Sequence, residues 1–102
     1  MKNTNKYGFI SGGYIFDLLD RTALQAINEK YPETANQQVY TASADIRYFK
    51  QLCNTDNIDF FIFDCCYRDN GYGVFLELHQ NDTIIATADF DFAVAKHNYC
   101  EQ

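Results

Sequence analysis

The chain has 102 residues, 47% of them hydrophobic and 17% aromatic, with a formal net charge of -6 and a pI near 4.6. This length suits a single domain over residues 1–102, and so much apolar material excludes intrinsic disorder. No Lys/Arg run or basic stripe is present, so nucleic acid is not an expected partner, and no apolar run reaches the length of a membrane span.

A short strand is expected around residues 7–10. The one helical pattern follows: Ile15, Leu18, Leu19, Thr22, Ala23, Ala26 and Ile27 recur at i, i+3 and i+4. It starts near Gly12 and stops at Tyr31-Pro32, because a residue before proline resists helical geometry. Polar residues 33–38 predict a loop. Strands are expected over 39–49, 57–67, 72–79 and 83–94, the last with Thr87, Asp89 and Asp91 alternating on one side. Arg68-Asp69-Asn70-Gly71 and Gln80-Asn81-Asp82 supply turn chemistry between them. The polar tail from Lys96 is expected to fray. Helix first, then four strands joined mostly by short turns, describes an α+β domain with an antiparallel sheet and one long helix packed on it.

The N-terminal stretch from Met1 to Lys6 lacks the apolar core of a signal peptide, so a soluble, cytoplasmic protein is expected. The four cysteines, Cys53, Cys65, Cys66 and Cys100, form no C-x-x-C, and His79 and His97 show no ligand spacing. Reduced thiols in or near the core are the expected state. The run Phe60-Phe61-Ile62-Phe63 reads as core and pocket wall.

The segment from Asn5 to Asp20 carries the chemistry. Gly12 and Gly13 open the helix, where backbone N–H groups are unpaired and sit at the positive end of the dipole. Such groups can hold a carbonyl oxygen that is gaining charge. Asp20 lies two turns further on, beside Phe16 and Ile27 at the edge of the apolar face. A carboxylate there can act as nucleophile or general base. Asp17 falls with Arg21 and Asn28 on the polar side and reads as a solvated charge. Ser11 is placed to cap the helix.

Asn5, Gly12, Gly13 and Asp20 fall at the spacings found in acyl-CoA thioesterases of the phenylacetate-degradation type. In that family an Asn precedes a His-Gly-Gly that opens the central helix, and an Asp follows eight residues after the first glycine. Tyr14-Ile15-Phe16 and Leu18 also fit that helix, and residues 41–49 resemble the family's next strand. The chain departs from the pattern at Ser11, where His is usual, and at Gln51, where Pro is usual. The resemblance covers roughly residues 5–95 and implies the hotdog fold, a curled antiparallel sheet wrapped around one central helix. It also implies Asp20, Gly12 and Asn5 as catalytic residues, and Gly13, Ser11, Thr41 and Tyr14 as substrate-binding residues. The substrate would be an acyl-CoA or related acyl thioester, with coenzyme A entering only as part of it and no metal or separate cofactor. A pocket between subunits, and hence a homodimer or dimer of dimers, is implied as well. A non-catalytic acyl-thioester binder on the same fold is the alternative. An acyl-thioester dehydratase is a more remote one, since no histidine lies near the helix. Among the basic residues, Arg47, Lys50 and Arg68 stay unranked as contacts for CoA phosphates.

Overall fold

The computed structural model of the protein describes residues 8–95. Helix α1 (Gly12–Lys30) is followed by a short 3-10 helix (Pro32–Asn36). Strands β1 (Val39–Tyr48), β2 (Ile58–Arg68), β3 (Gly71–Gln80) and β4 (Thr83–Val94) complete the order. The strands form one antiparallel sheet in the order β1-β4-β3-β2, so β1 and β2 are its edges.

The helix begins and ends for local reasons. Ser11 is extended at φ -66° and ψ 147°, and its Oγ accepts the Tyr14 N–H at 3.2 Å. Side-chain caps of this kind satisfy one of the orphan donors of the first turn. At the other end the Tyr31 N–H donates to the Ile27 carbonyl, and Pro32 cannot continue the pattern. One stripe of the helix, Ile15, Leu19, Ala23 and Ile27, is buried. It packs with Val74, Leu76 and Leu78 of β3 and Ala86, Ala88 and Phe90 of β4 in one core. Burying each large aliphatic side chain stabilises the fold by about 1.5–3 kcal/mol relative to exposure.

Both hairpins use two-residue turns. Asp69 and Asn70 have φ of 52° and 62°, and Asn81 and Asp82 have 50° and 66°. Two successive left-handed residues match the right-handed twist of the flanking strands, and Asn and Asp tolerate that conformation best after glycine. Gly71 is therefore not a turn residue. It opens β3, where an added Cβ would run into the Phe92 backbone carbonyl of β4. On the face away from the helix, Arg68 stretches over Gly73 to reach Asp89 and Asp91. The nearest N–O separations are 3.1 and 2.9 Å.

Three expectations need correction. Residues 33–38 do not form a plain loop. Most of them continue from Pro32 into the 3-10 helix, nucleated by the proline and by Thr34, which is buried and hydrogen-bonded to the Tyr31 carbonyl. Of the aromatic run on β2 only Phe60 packs against the core; Phe61, Ile62 and Phe63 are 44%, 40% and 61% exposed. They lie on an edge strand, and the register slips between Ile62 and Asp64, so Phe63 sits at a bulge. Of the expected 7–10 strand, the described part is a single bridge at Ile10, whose N–H donates to the Leu52 carbonyl.

Candidate active site

Helix α1 lies over β2, β3 and part of β4. Two side-chain hydrogen bonds tie it to the edge strand β1. Near the helix start, the Tyr48 hydroxyl donates to the Gly12 carbonyl at 3.1 Å. Two turns later, the Thr41 hydroxyl donates to Asp20 Oδ1 at 2.5 Å. Residues 12, 16 and 20 are spaced four apart, so Gly12, Phe16 and Asp20 share one flank of the helix. Phe16 stands between the other two, packed edge-on against Phe90 with ring centroids 5.7 Å apart, yet still 37% exposed. The flank is thus an open margin, apolar in its middle, with backbone amides at one end and a carboxylate at the other.

Asp20 is half-buried at the rim of the core. A charged acceptor makes the Thr41 bond stronger than a neutral one. Asp17 behaves differently: it is exposed and ion-paired with Arg21 at 2.5 Å. The two carboxylates are only about 60° apart around the helix, and it is their partners that separate them: Arg21 in solvent for Asp17, the Thr41 hydroxyl of β1 for Asp20.

At the helix start, Ser11 Oγ is engaged by the Tyr14 N–H, and the Ser11 carbonyl by Ile15 at 3.2 Å. This cap leaves the N–H groups of Gly12 and Gly13 at the open end of the helix. Both glycines are exposed, and no atom would crowd a side chain at Gly13. A cleft of about 280 Å³ opens beside them, lined by Ile10, Gly12, Ile15, Tyr48, Lys50 and Gln51. Tyr14 turns to pack against the core instead. Asn5 lies outside the described residues.

The structure also ranks the cations. Lys50 borders the helix-start cleft. Arg68 is held by Asp89 and Asp91 on the opposite face of the sheet, and the Asp91 hydrogen bond, first among its causes, raises its pKa further. Arg47 lines a separate cleft on that opposite face with Asp45, Phe49 and Phe75. Tyr48 was invisible to sequence reasoning. It ends a strand that reads as ordinary sheet, and only the antiparallel run of β1 along α1 carries its hydroxyl to Gly12. Burial pushes the pKa of its phenol upward, so the hydroxyl keeps its proton at neutral pH.

No protein-family model matches the sequence, and no curated protein matches it. Solved structures do match in shape. A predicted thioesterase from Bacillus stearothermophilus superposes with a TM-score of 0.79 over 96% of this chain and 75% of its own, at 11% identity. The chain has the hotdog fold. The gentisyl-coenzyme A thioesterase BH1999 shares it with a TM-score of 0.75 and 12% identity, over 94% of this chain and 82% of its own. So does the BH2602 protein from Bacillus halodurans, solved with CoA. Its TM-score is 0.68 at 21% identity, over 92% of this chain and 61% of its own. In this hotdog chain α1 is the central helix, and among the described residues no helix is long and apolar enough to cross a membrane.

Proposed function

We propose that the protein is a thioesterase that hydrolyses an acyl-CoA, or a closely related acyl thioester, to a free acid and a thiol. The observation that carries this reading is the Asp20 carboxylate, held by the Thr41 hydroxyl on the open flank of a helix that starts with two glycines. The likeness in shape to proteins named thioesterases, and to one solved with CoA, supports it. The thioester carbonyl oxygen would rest on the N–H of Gly12, with Gly13 beside it. Asp20 would then attack the carbonyl carbon, or take a proton from a water that attacks it. The C–O bond forms, the C–S bond breaks, and the sulfur leaves as thiolate to be protonated by solvent; where Asp20 itself attacks, water then cleaves the resulting mixed anhydride to free acid and regenerates the carboxylate. Lys50, which lines the cleft beside the helix start, is a cation placed to meet a phosphate of CoA.

The two halves of this chemistry do not meet within one chain. Eight residues at 1.5 Å rise separate Gly12 from Asp20 by about 12 Å along the helix, far more than one carbonyl group spans. A second copy resolves this. Among the described residues β1 is an edge strand of the sheet, and a two-fold axis passing near Phe16 would bring Gly12 of one copy opposite Asp20 of the other. Such an isologous pairing makes two equivalent sites. It would also cover Phe16 and Tyr48, which stand exposed along this margin.

The test is release of free thiol from a panel of acyl-CoAs, measured alongside their binding. Asp20→Asn keeps the shape and removes the charge, so it should lower kcat by about 10²–10⁴-fold while binding persists. Asp17→Asn, on the solvated side, should stay near wild type. Tight binding with no turnover by the unchanged protein would instead establish the non-catalytic binder, with Ser11 in the usual place of His as the first substitution to reverse.

A further inference from the structure

The hydroxyl of Tyr48 donates to the carbonyl of Gly12 at 3.1 Å. That carbonyl and the N–H of Gly13 belong to the same peptide unit, which is planar and rigid. Whatever fixes the direction of one fixes the direction of the other. We propose that Tyr48 is a positioning residue for the thioesterase reaction: it pins the Gly12–Gly13 peptide and so aims and polarises the Gly13 N–H as a second oxyanion donor beside that of Gly12. The proposal rests on the hydrolase reading and adds to it a group that touches neither thioester nor water.

Three features make the link specific. Glycine at both positions leaves this peptide without side chains to restrain it, and glycine loses more conformational freedom on ordering than any other residue. The helix's own i+4 bond holds the Gly12 carbonyl from within, and the Tyr48 hydroxyl adds a second donor to it from another strand. Ser11 secures the turn only through the N–H groups of Tyr14 and Ile15, downstream of this peptide. The Tyr48 ring also lies 3.8 Å from where a Gly12 Cβ would be, so ring and peptide are in van der Waals register as well as hydrogen-bonded. Donation into an amide carbonyl draws electron density from its nitrogen and strengthens the N–H as a donor, the cooperative effect seen along hydrogen-bond chains. The phenol suits this task, since a tyrosine hydroxyl is protonated at neutral pH and so is available as a donor.

Tyr48→Phe retains the ring and removes the donor. In the full-length protein it should lower kcat by about 2- to 12-fold, the worth of one hydrogen bond, with KM for acyl-CoA little changed. The Gly13 amide proton should move upfield in the ¹H–¹⁵N spectrum. Tyr67→Phe, an exposed tyrosine on the opposite edge strand, should leave both readouts unaltered. A rise in KM alone would reduce Tyr48 to a pocket wall and overturn the proposal. So would a lower kcat with the Gly13 resonance unmoved, because the effect would then bypass the peptide. Unchanged kcat in Tyr48→Phe with an active wild type would sink the role of Tyr48 alone. An inactive wild type would sink the hydrolase reading together with it.

Discussion

Replacing Gly12 by proline tests the helix-start amide with little cost to the fold. Proline lacks the N–H but is favoured at the first helical position, where that N–H has no intrahelical partner. The residue before proline must be extended, and Ser11, at φ -66° and ψ 147°, already is. Among the described residues, a Gly12 Cβ would meet Tyr48 at 3.8 Å, an ordinary contact. Stability should therefore hold or rise by about 0.4–1 kcal/mol through the stiffer unfolded chain. Loss of one oxyanion donor should lower kcat by roughly 10²–10³-fold. Gly12→Pro and Asp20→Asn damage opposite ends of the helix flank, about 12 Å apart. Mixed in equal amounts and allowed to exchange subunits, they should form heterodimers as about half of all dimers, each with one of its two sites intact. Thiol release would then recover to about a quarter of the wild-type rate, measured after brief denaturation and refolding of the mixture. Recovery to nothing, with heterodimers demonstrated by native mass spectrometry, would show that each site lies within one chain and refute the two-copy geometry. Full activity in Gly12→Pro alone would remove the amide from the mechanism.

Two further outcomes follow from packing. Gly71→Ala should destabilise the protein far more than Gly73→Ala in urea titration. The new methyl at 71 meets the rigid Phe92 carbonyl, whereas at 73 it meets only the end of Arg68. Lifting Arg68 costs no more than its exposed ion pairs with Asp89 and Asp91, about 0.2–1 kcal/mol. The second outcome concerns alkaline pH. Burial raises the pKa of Cys65 above its ordinary 9.0 and that of Tyr72 above 10.0. Both hold their protons more tightly folded than unfolded, so their stabilisation is complete below the unfolded values and is lost as pH rises through the folded ones. Thermal melts should therefore fall above about pH 9, and a thiol reagent at neutral pH should label exposed Cys53 well before Cys65.

What could be read from the sequence was local. The period of Ile15, Leu19, Ala23 and Ile27 defines the helix, the Ser-Gly-Gly start and Pro32 stop bound it, and Asp69-Asn70 and Asn81-Asp82 carry left-handed turns in their own side-chain chemistry. The exposure of Phe61, Ile62 and Phe63 was not local. Their run resembles a buried strand, and only the strand order, with β2 at the edge, decides otherwise. The pairing of Thr41 with Asp20 and of Tyr48 with Gly12 was equally hidden, because each joins residues more than twenty positions apart. Resemblance could name Thr41, but nothing in the string could name Tyr48.

The same distinction explains why a short, strongly aromatic chain can carry the proposed reaction centre yet leave it open. Helical phase sets Gly12, Phe16 and Asp20 on one flank, so amide, apolar spacer and carboxylate come in line without any further design. Because a helix rises only 1.5 Å per residue, the line is too long for one carbonyl and too regular to bend. The exposed Phe16 at its middle is then the feature that needs an account. A lone folded chain packs that ring against Phe90 but leaves 37% of the residue uncovered between two polar groups. The proposed two-fold partner would cover it and, by the same rotation, would supply the missing end of each site. Stability and chemistry would thus depend on one contact, and a variant such as Phe16→Asp should lose dimer and turnover together, while a purely intrachain site would lose at most one.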